Sequence, residues 1–235
     1  MSGMRKVVEP EAFADAAAEW ILEKIDAVLA DSERCHLMLA GGTTPLPVYD
    51  RLAAHSDIPW RRITIYFGDE RCVPPLTPEN NAHTVLARLF PRGVPEGVTV
   101  HRMCGEENPD LAAEEYETQL PERVDILLLG MGEDGHTASI FPGSAALDEE
   151  RRRVMPVIGS KVPLQRLTIT PPVIRDARYL LVMVCGEDKA DAVRWALGDR
   201  SVPATLAACG DWLLDRLAAR TLPRLLAQEQ EGAPR

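Results

Sequence analysis

Ile126-Leu127-Leu128-Leu129-Gly130-Met131-Gly132-Glu133-Asp134-Gly135-His136-Thr137-Ala138-Ser139 runs from four consecutive apolar residues into a loop of glycines, two carboxylates and a histidine. An uninterrupted apolar run of this length predicts a strand buried on both faces, as in a parallel sheet covered by helices on each side. Open sheets of that kind take their ligands at the carboxyl ends of the strands. The loop after Leu129 is therefore placed where chemistry belongs, and the rest of the chain can be tested for the same strand-then-loop pattern.

The pattern recurs. Pro10 opens a helix in which Phe13, Ala17, Trp20, Ile21, Ile25 and Val28 fall at helical spacing on one stripe. A strand over His36 to Leu39 leads through glycines into a helix from about Pro45 to Ala54. A strand over Ile63 to Phe67 follows, then a helix over Asn81 to Leu89. Asn108 caps a helix that Pro109 begins and that runs to about Leu120. Beyond the central strand, further strands are predicted at Val154 to Ile158, Leu167 to Thr170 and Tyr179 to Val184. A helix over Glu187 to Leu197 and a strand-helix around Trp212 to Ala219 complete the series. Alternating strands and helices predict an α/β fold: a single-domain, three-layer α/β/α sandwich with a mainly parallel, Rossmann-like sheet. Nothing divides residues 1–235, and only a polar tail from about residue 228 stands apart.

Composition narrows the class. The chain of 235 residues is 46% hydrophobic and 26% charged, the usage of a globular protein rather than a disordered one. Its 36 Asp and Glu outnumber 26 Lys and Arg, and a net charge of −10 repels nucleic acid and anionic membranes alike. No apolar run approaches the roughly 18 residues of a membrane span. The 5 cysteines are scattered and never spaced C-x-x-C, which fits reduced thiols and a cytoplasmic location. A small-molecule partner is expected, with no nucleic acid and no membrane, from a monomer or small homo-oligomer.

Three strand-end loops carry the polar chemistry. Ala40-Gly41-Gly42-Thr43-Thr44-Pro45 reads either as a phosphate cradle, with backbone N–H groups and a helix start converging on an anion, or as a tight turn with Thr44 capping the helix. Phe67-Gly68-Asp69-Glu70-Arg71 reads either as a solvated loop or as a planar guanidinium for phosphate, with Asp69 or Glu70 orienting Arg71. In the third loop His136 suits a general base whose tautomer a neighbouring Asp134 fixes. His36, His55, His83 and His101 lack such a setting. Lys189, just after a strand at the start of a helix, is placed against the helix dipole and is a candidate anion ligand. No H-E-x-x-H or Cys–His cluster points to a metal, and no G-x-S-x-G points to a serine nucleophile.

Taken in order, A-G-G-T-T-P at 40–45, F-G-D-E-R-C-V-P at 67–74, N-N at 80–81, L-L-G-M-G-E-D-G-H-T-A-S-I-F-P-G at 128–143, R-L-T-I-T-P-P at 166–172 and G-E-D-K-A at 186–190 resemble the 6-phosphogluconolactonase family. That family lies within the larger group of glucosamine-6-phosphate deaminase-like sugar-phosphate enzymes, and the similarity runs from Ala40 to about Ala219. The resemblance implies a deaminase/isomerase-like fold and hydrolysis of 6-phospho-D-glucono-1,5-lactone without metal or organic cofactor. It implies His136 as general base with Asp134 assisting, and Gly41, Gly42, Thr43, Arg71 and Lys189 as phosphate ligands, with Arg166 an addition. Ala40 departs from the serine that many members carry and removes one hydroxyl from that loop. The deaminase relatives resemble D-E-Y and D-G-H-x-A-F-N-E, with a glutamate at the position of Phe141 and a tyrosine at that of Arg71. Their first carboxylate of the D-E pair abstracts a C2 proton; here Asp69 would only orient Arg71 or the loop. The competing readings are a sugar-phosphate isomerase or deaminase and a non-catalytic sugar-phosphate-binding regulator.

Overall fold

The computed structural model describes residues 3–198 and 201–222, so the tail expected from about residue 228 lies outside the described residues. In chain order the strands and α-helices are β1 (Arg5–Val8), α1 (Phe13–Leu29), β2 (Cys35–Leu39), α2 (Leu46–Ala54), β3 (Ile63–Phe67), β4 (Asp69–Arg71) and α3 (Asn81–Leu89). They continue with β5 (Thr99–Val100), α4 (Pro109–Gln119), β6 (Ile126–Leu129), β7 (Val154–Ile158), β8 (Gln165–Ile169), α5 (Pro171–Asp176), β9 (Tyr179–Val184), α6 (Ala190–Leu197) and β10 (Asp211–Asp215).

Seven strands form a sheet in the order β1-β10-β9-β6-β2-β3-β5, parallel at every pairing. The period of two divides its side chains between two cores. Ile126 and Leu128 of β6 join Leu37, Leu39, Ile63 and Ile65 under α1, α2 and α3. Leu127 and Leu129 join Met38, Val182 and Trp212 on the other side, with α4, α5 and α6. Leu128 is fully buried, and truncating it to alanine is expected to cost about 2–5 kcal/mol. No helix among the described residues is long and apolar enough to cross a membrane.

A second, three-stranded sheet in the order β4-β8-β7 is antiparallel. Here the sequence reading needs correction: Val154–Ile158 and Gln165–Ile169 are strands, but they pair with each other and with β4 rather than joining the parallel array. Gly68 is the junction. Its N–H donates to Leu39 O in the parallel sheet at 3.0 Å, and its carbonyl accepts from Ile169 N in the small sheet at 2.9 Å. Two further expectations change. The helix starting near Pro45 carries no side-chain cap from Thr44. No helix lies within Trp212 to Ala219: β10 ends at Asp215, whose carboxylate accepts from Ala218 N at 2.7 Å and Gly186 N at 3.1 Å, and residues 216–222 run in turns and a bend.

Candidate active site

The carboxyl ends of β2, β3 and β6 open into a cavity of about 380 Å³. Two buried tyrosine hydroxyls fix the backbone where the strands stop. Tyr49 Oη accepts from Ala40 N at 3.0 Å and donates to Ala40 O at 2.7 Å, and Tyr116 Oη does the same for Phe67 at 2.8 and 3.0 Å. Each hydroxyl takes the role of an absent ladder partner, so the loops beyond start from fixed points. Gly41, Gly42, Thr43, Asp69, Arg71, His136, Arg166 and Lys189 all line the cavity, so the candidates scattered over the sequence come together. Asp134 does not line it but is in contact with His136, which does.

The histidine loop is built to hold one ring. A Cβ at Gly132 would lie 2.1 Å from His136 Cε1, so only glycine lets the imidazole lie against the backbone there. Gly132 N donates to His136 O at 2.9 Å, and Thr137 Oγ1 donates to Gly130 O at 2.9 Å. Ala138 takes a left-handed φ of 46°, a local strain of roughly 1–2 kcal/mol for a non-glycine residue. Asp134 Oδ1 lies 2.5 Å from His136 Nδ1 and also accepts from His136 N at 3.1 Å. Burial alone would raise the Asp134 carboxyl, but the His136 ring and backbone donors outweigh it and hold the group below its ordinary range. An ionised Asp134 places the proton on Nδ1 and leaves Nε2 as the basic atom. Beside the ring stands Phe141, 4.6 Å away between centroids, and the Arg166 guanidinium lies over the same Phe141 ring, 5.5 Å from its centroid.

The rest of the lining is strongly cationic, with Arg71, Lys161, Arg166 and Lys189. In the β4–β8 register Arg71 stands directly across from Arg166. Like charges facing each other on adjacent strands destabilise a sheet, so the pair favours an anion between or beside them. Burial and the charge of Arg71 both pull the Arg166 guanidinium below its ordinary value. Arg71 Nη1 donates to Glu79 O at 2.7 Å, while its Nε is buried without a partner among the described residues. Arg166 donates to Pro163 O at 3.0 Å and Lys161 O at 3.1 Å. Carbonyl partners orient both guanidinium groups without cancelling their charge. In the glycine loop, Gly42 takes a left-handed φ of 86°, and Gly41 lies where a Cβ would meet the Asn81 amide at 2.2 Å.

The acidic pair beside Arg71 works differently from the expectation. Neither Asp69 nor Glu70 receives the Arg71 guanidinium. Glu70, fully buried, accepts from Arg71 N, Asn81 N and Ala82 N at 2.8, 2.6 and 2.8 Å, anchoring the start of α3. Asp69 accepts from Ser139 Oγ at 2.6 Å and Asn81 Nδ2 at 3.3 Å, tying β4 to the histidine loop and to α3. Asp69 thus orients the loop, not the arginine. Three contributors escaped the sequence reading as site residues. Ser139 and Asn81 sat inside quoted motifs without an assigned role, and Lys161 lay outside them all. Its signal is proximity: it projects from the β7–β8 hairpin, five residues before Arg166, and lines the cavity. The other four histidines do not line it. Among the described residues no group of three or more His, Cys, Asp or Glu side chains is placed to hold a metal.

The chain is similar to known proteins over most of its length. Residues 8–214 match the family model described as glucosamine-6-phosphate isomerases/6-phosphogluconolactonase. The chain is 36% identical to a 6-phosphogluconolactonase of Streptomyces coelicolor, over 93% of this chain and 94% of that one. It is 33% identical to one of a Nostoc species, over 81% and 84%. The crystal structure of 6-phosphogluconolactonase from Thermotoga maritima superposes with a TM-score of 0.82 at 30% identity, covering 91% of this chain and 99% of that one. On sequence and fold together, the chain belongs to the glucosamine-6-phosphate isomerase/6-phosphogluconolactonase family.

Proposed function

We propose that this protein hydrolyses 6-phospho-D-glucono-1,5-lactone to 6-phospho-D-gluconate, the lactonase step of the oxidative pentose phosphate pathway. The observation that carries the reading is one cavity lined by His136, which Asp134 backs, together with the cross-strand pair Arg71 and Arg166. Arg71, Arg166, Lys161, Lys189 and the backbone of Gly41 to Thr43 bind the phosphate and so place the lactone ring toward His136. Nε2 of His136 takes a proton from water as the water oxygen bonds to the C1 carbonyl carbon. Asp134 stabilises the imidazolium that forms. The tetrahedral intermediate collapses with cleavage of the C1–O5 bond, and the imidazolium returns its proton to O5. A lactone is an activated ester, so a positioned base worth about 10²–10⁴-fold, together with anchoring through the phosphate, is sufficient chemistry.

Phe141 and Arg71 favour this reading over amino-sugar deamination. Phe141 cannot transfer a proton, and Asp69 is already engaged by Ser139 and Asn81. The five cysteines stand as free thiols, which supports a reducing compartment such as the cytoplasm. The test is acid release at constant pH from freshly prepared 6-phosphogluconolactone. The protein should accelerate it far above the uncatalysed rate while releasing no ammonia from glucosamine-6-phosphate. Ammonia release at a comparable rate would overturn the assignment.

A further inference from the structure

Four cations meet at the cavity, and they are held in two ways. Arg71 and Arg166 are held by main-chain carbonyls and form no ion pair among the described residues. The two lysines instead share one carboxylate oxygen: Glu133 Oε1 lies 3.5 Å from Lys189 Nζ and 3.6 Å from Lys161 Nζ. Lys189 Nζ is also 2.9 Å from Asp188 Oδ2. Glu133 belongs to the histidine loop, Lys161 to the β7–β8 hairpin and Lys189 to the segment entering α6. Three separate elements therefore converge on one anion at the rim. The Glu133 side chain is 53% exposed and lies outside the cavity lining, whereas that of Lys189 is 17% exposed.

We propose that Glu133 sets the anion affinity of this site: a built-in carboxylate that holds the two rim lysines until the phosphate of a ligand takes its place. The lactonase reading supplies the identity of the substrate; the competition between carboxylate and phosphate is a property of the cavity alone. A half-exposed ion pair is weak, so it yields readily. A phosphate brings up to two negative charges and several acceptor oxygens, and displaces a single carboxylate oxygen. A lactone without phosphate offers the lysines nothing in exchange and leaves Glu133 in place. Glu133 thereby lowers the affinity for every phosphate-bearing ligand, including the phosphorylated product, which favours its release.

The test is calorimetric titration of wild type and Glu133→Gln with inorganic phosphate at fixed ionic strength. Glu133→Gln should bind phosphate about two- to fivefold more tightly, because the Glu133 charge is gone from both lysines while Asp188 still faces Lys189. In a Lys161→Gln background the gain should shrink, since one of the two contacts no longer exists. In steady-state assays KM for 6-phosphogluconolactone should fall with the phosphate dissociation constant. Unchanged or weaker phosphate binding in Glu133→Gln would overturn the proposal, as would a gain of the same size with and without Lys161. Because binding is read without turnover, the outcomes separate. Tighter phosphate binding in a protein that hydrolyses no lactone would sink the functional assignment and leave this inference standing.

Discussion

The two sheets divide the work. The seven-stranded parallel sheet is buried on both faces and delivers the glycine loop after β2 and the histidine loop after β6. The three-stranded antiparallel sheet is small and delivers Arg71 and Arg166 side by side, with Lys161 on its hairpin. A parallel sheet concentrates strand ends, and hence backbone donors and one well-braced base, at a single edge. An antiparallel pair does what that edge cannot: it sets two long cations opposite each other at a fixed spacing. Chemistry and charge are thus separable in the structure, and they should be separable in kinetics.

The largest break falls on the parallel side. His136→Ala should lower kcat by about 10²–10⁴-fold with a modest change in KM, measured by acid release at constant pH. Asp134, held below the ordinary carboxyl range, stays ionised near neutral pH, so Asp134→Asn should also lower kcat.

Next come the arginines. Arg71→Ala and Arg166→Met should each weaken phosphate-bearing ligands by about 1.5–3 kcal/mol, the range for hydrogen bonds to charged groups. Arg166→Met keeps a long side chain against Phe141 and relieves the repulsion from Arg71, so thermal unfolding should show little or no loss of stability. A fold collapse in that variant would mean the arginine pair holds the small sheet together rather than a ligand. Asp69→Asn should retain more turnover than His136→Ala, because Asp69 braces the loop through Ser139 and Asn81 and breaks no bond of the substrate.

What was legible in the sequence follows the same division. Ile126 to Leu129 is buried on both faces, and an apolar run reports that directly. The glycines and His136 follow such runs immediately, so their place at the cavity could be read. β4 could not be read, because Asp69-Glu70-Arg71 is three charged residues whose strand character comes only from pairing with β8. The same blindness put β7 and β8 in the wrong sheet and hid Lys161, since a hairpin's register is a tertiary fact. β1 and β5 are short edge strands whose pairing supplies what periodicity does not. The role of Glu70 was also hidden: its three backbone donors come from its neighbour and from α3, which only the folded chain brings up.

The smallest effect concerns Glu70 and the joint between the sheets. Burial pushes its carboxyl up to about 7, against the pull of backbone N–H groups that favour the charged form. The native group holds its proton to higher pH than the unfolded group near 4.5, so its contribution to stability is complete below that value and is lost as pH rises through about 7. Thermal unfolding followed from pH 5 to about pH 8.5 should show wild-type stability falling relative to Glu70→Gln. Parallel curves would remove Glu70 from the account.

The most direct test of the division is the ratio of kcat/KM for 6-phosphogluconolactone to that for unphosphorylated gluconolactone, measured in wild type, His136→Ala and Arg71→Ala. The wild type should prefer the phosphorylated lactone strongly. His136→Ala should lose activity on both substrates and keep the ratio, while Arg71→Ala should lose the ratio. A ratio that collapses equally in both variants, or a wild type indifferent to the phosphate, would contradict the assignment of the base to the parallel sheet and of the phosphate-binding guanidinium pair to the small one.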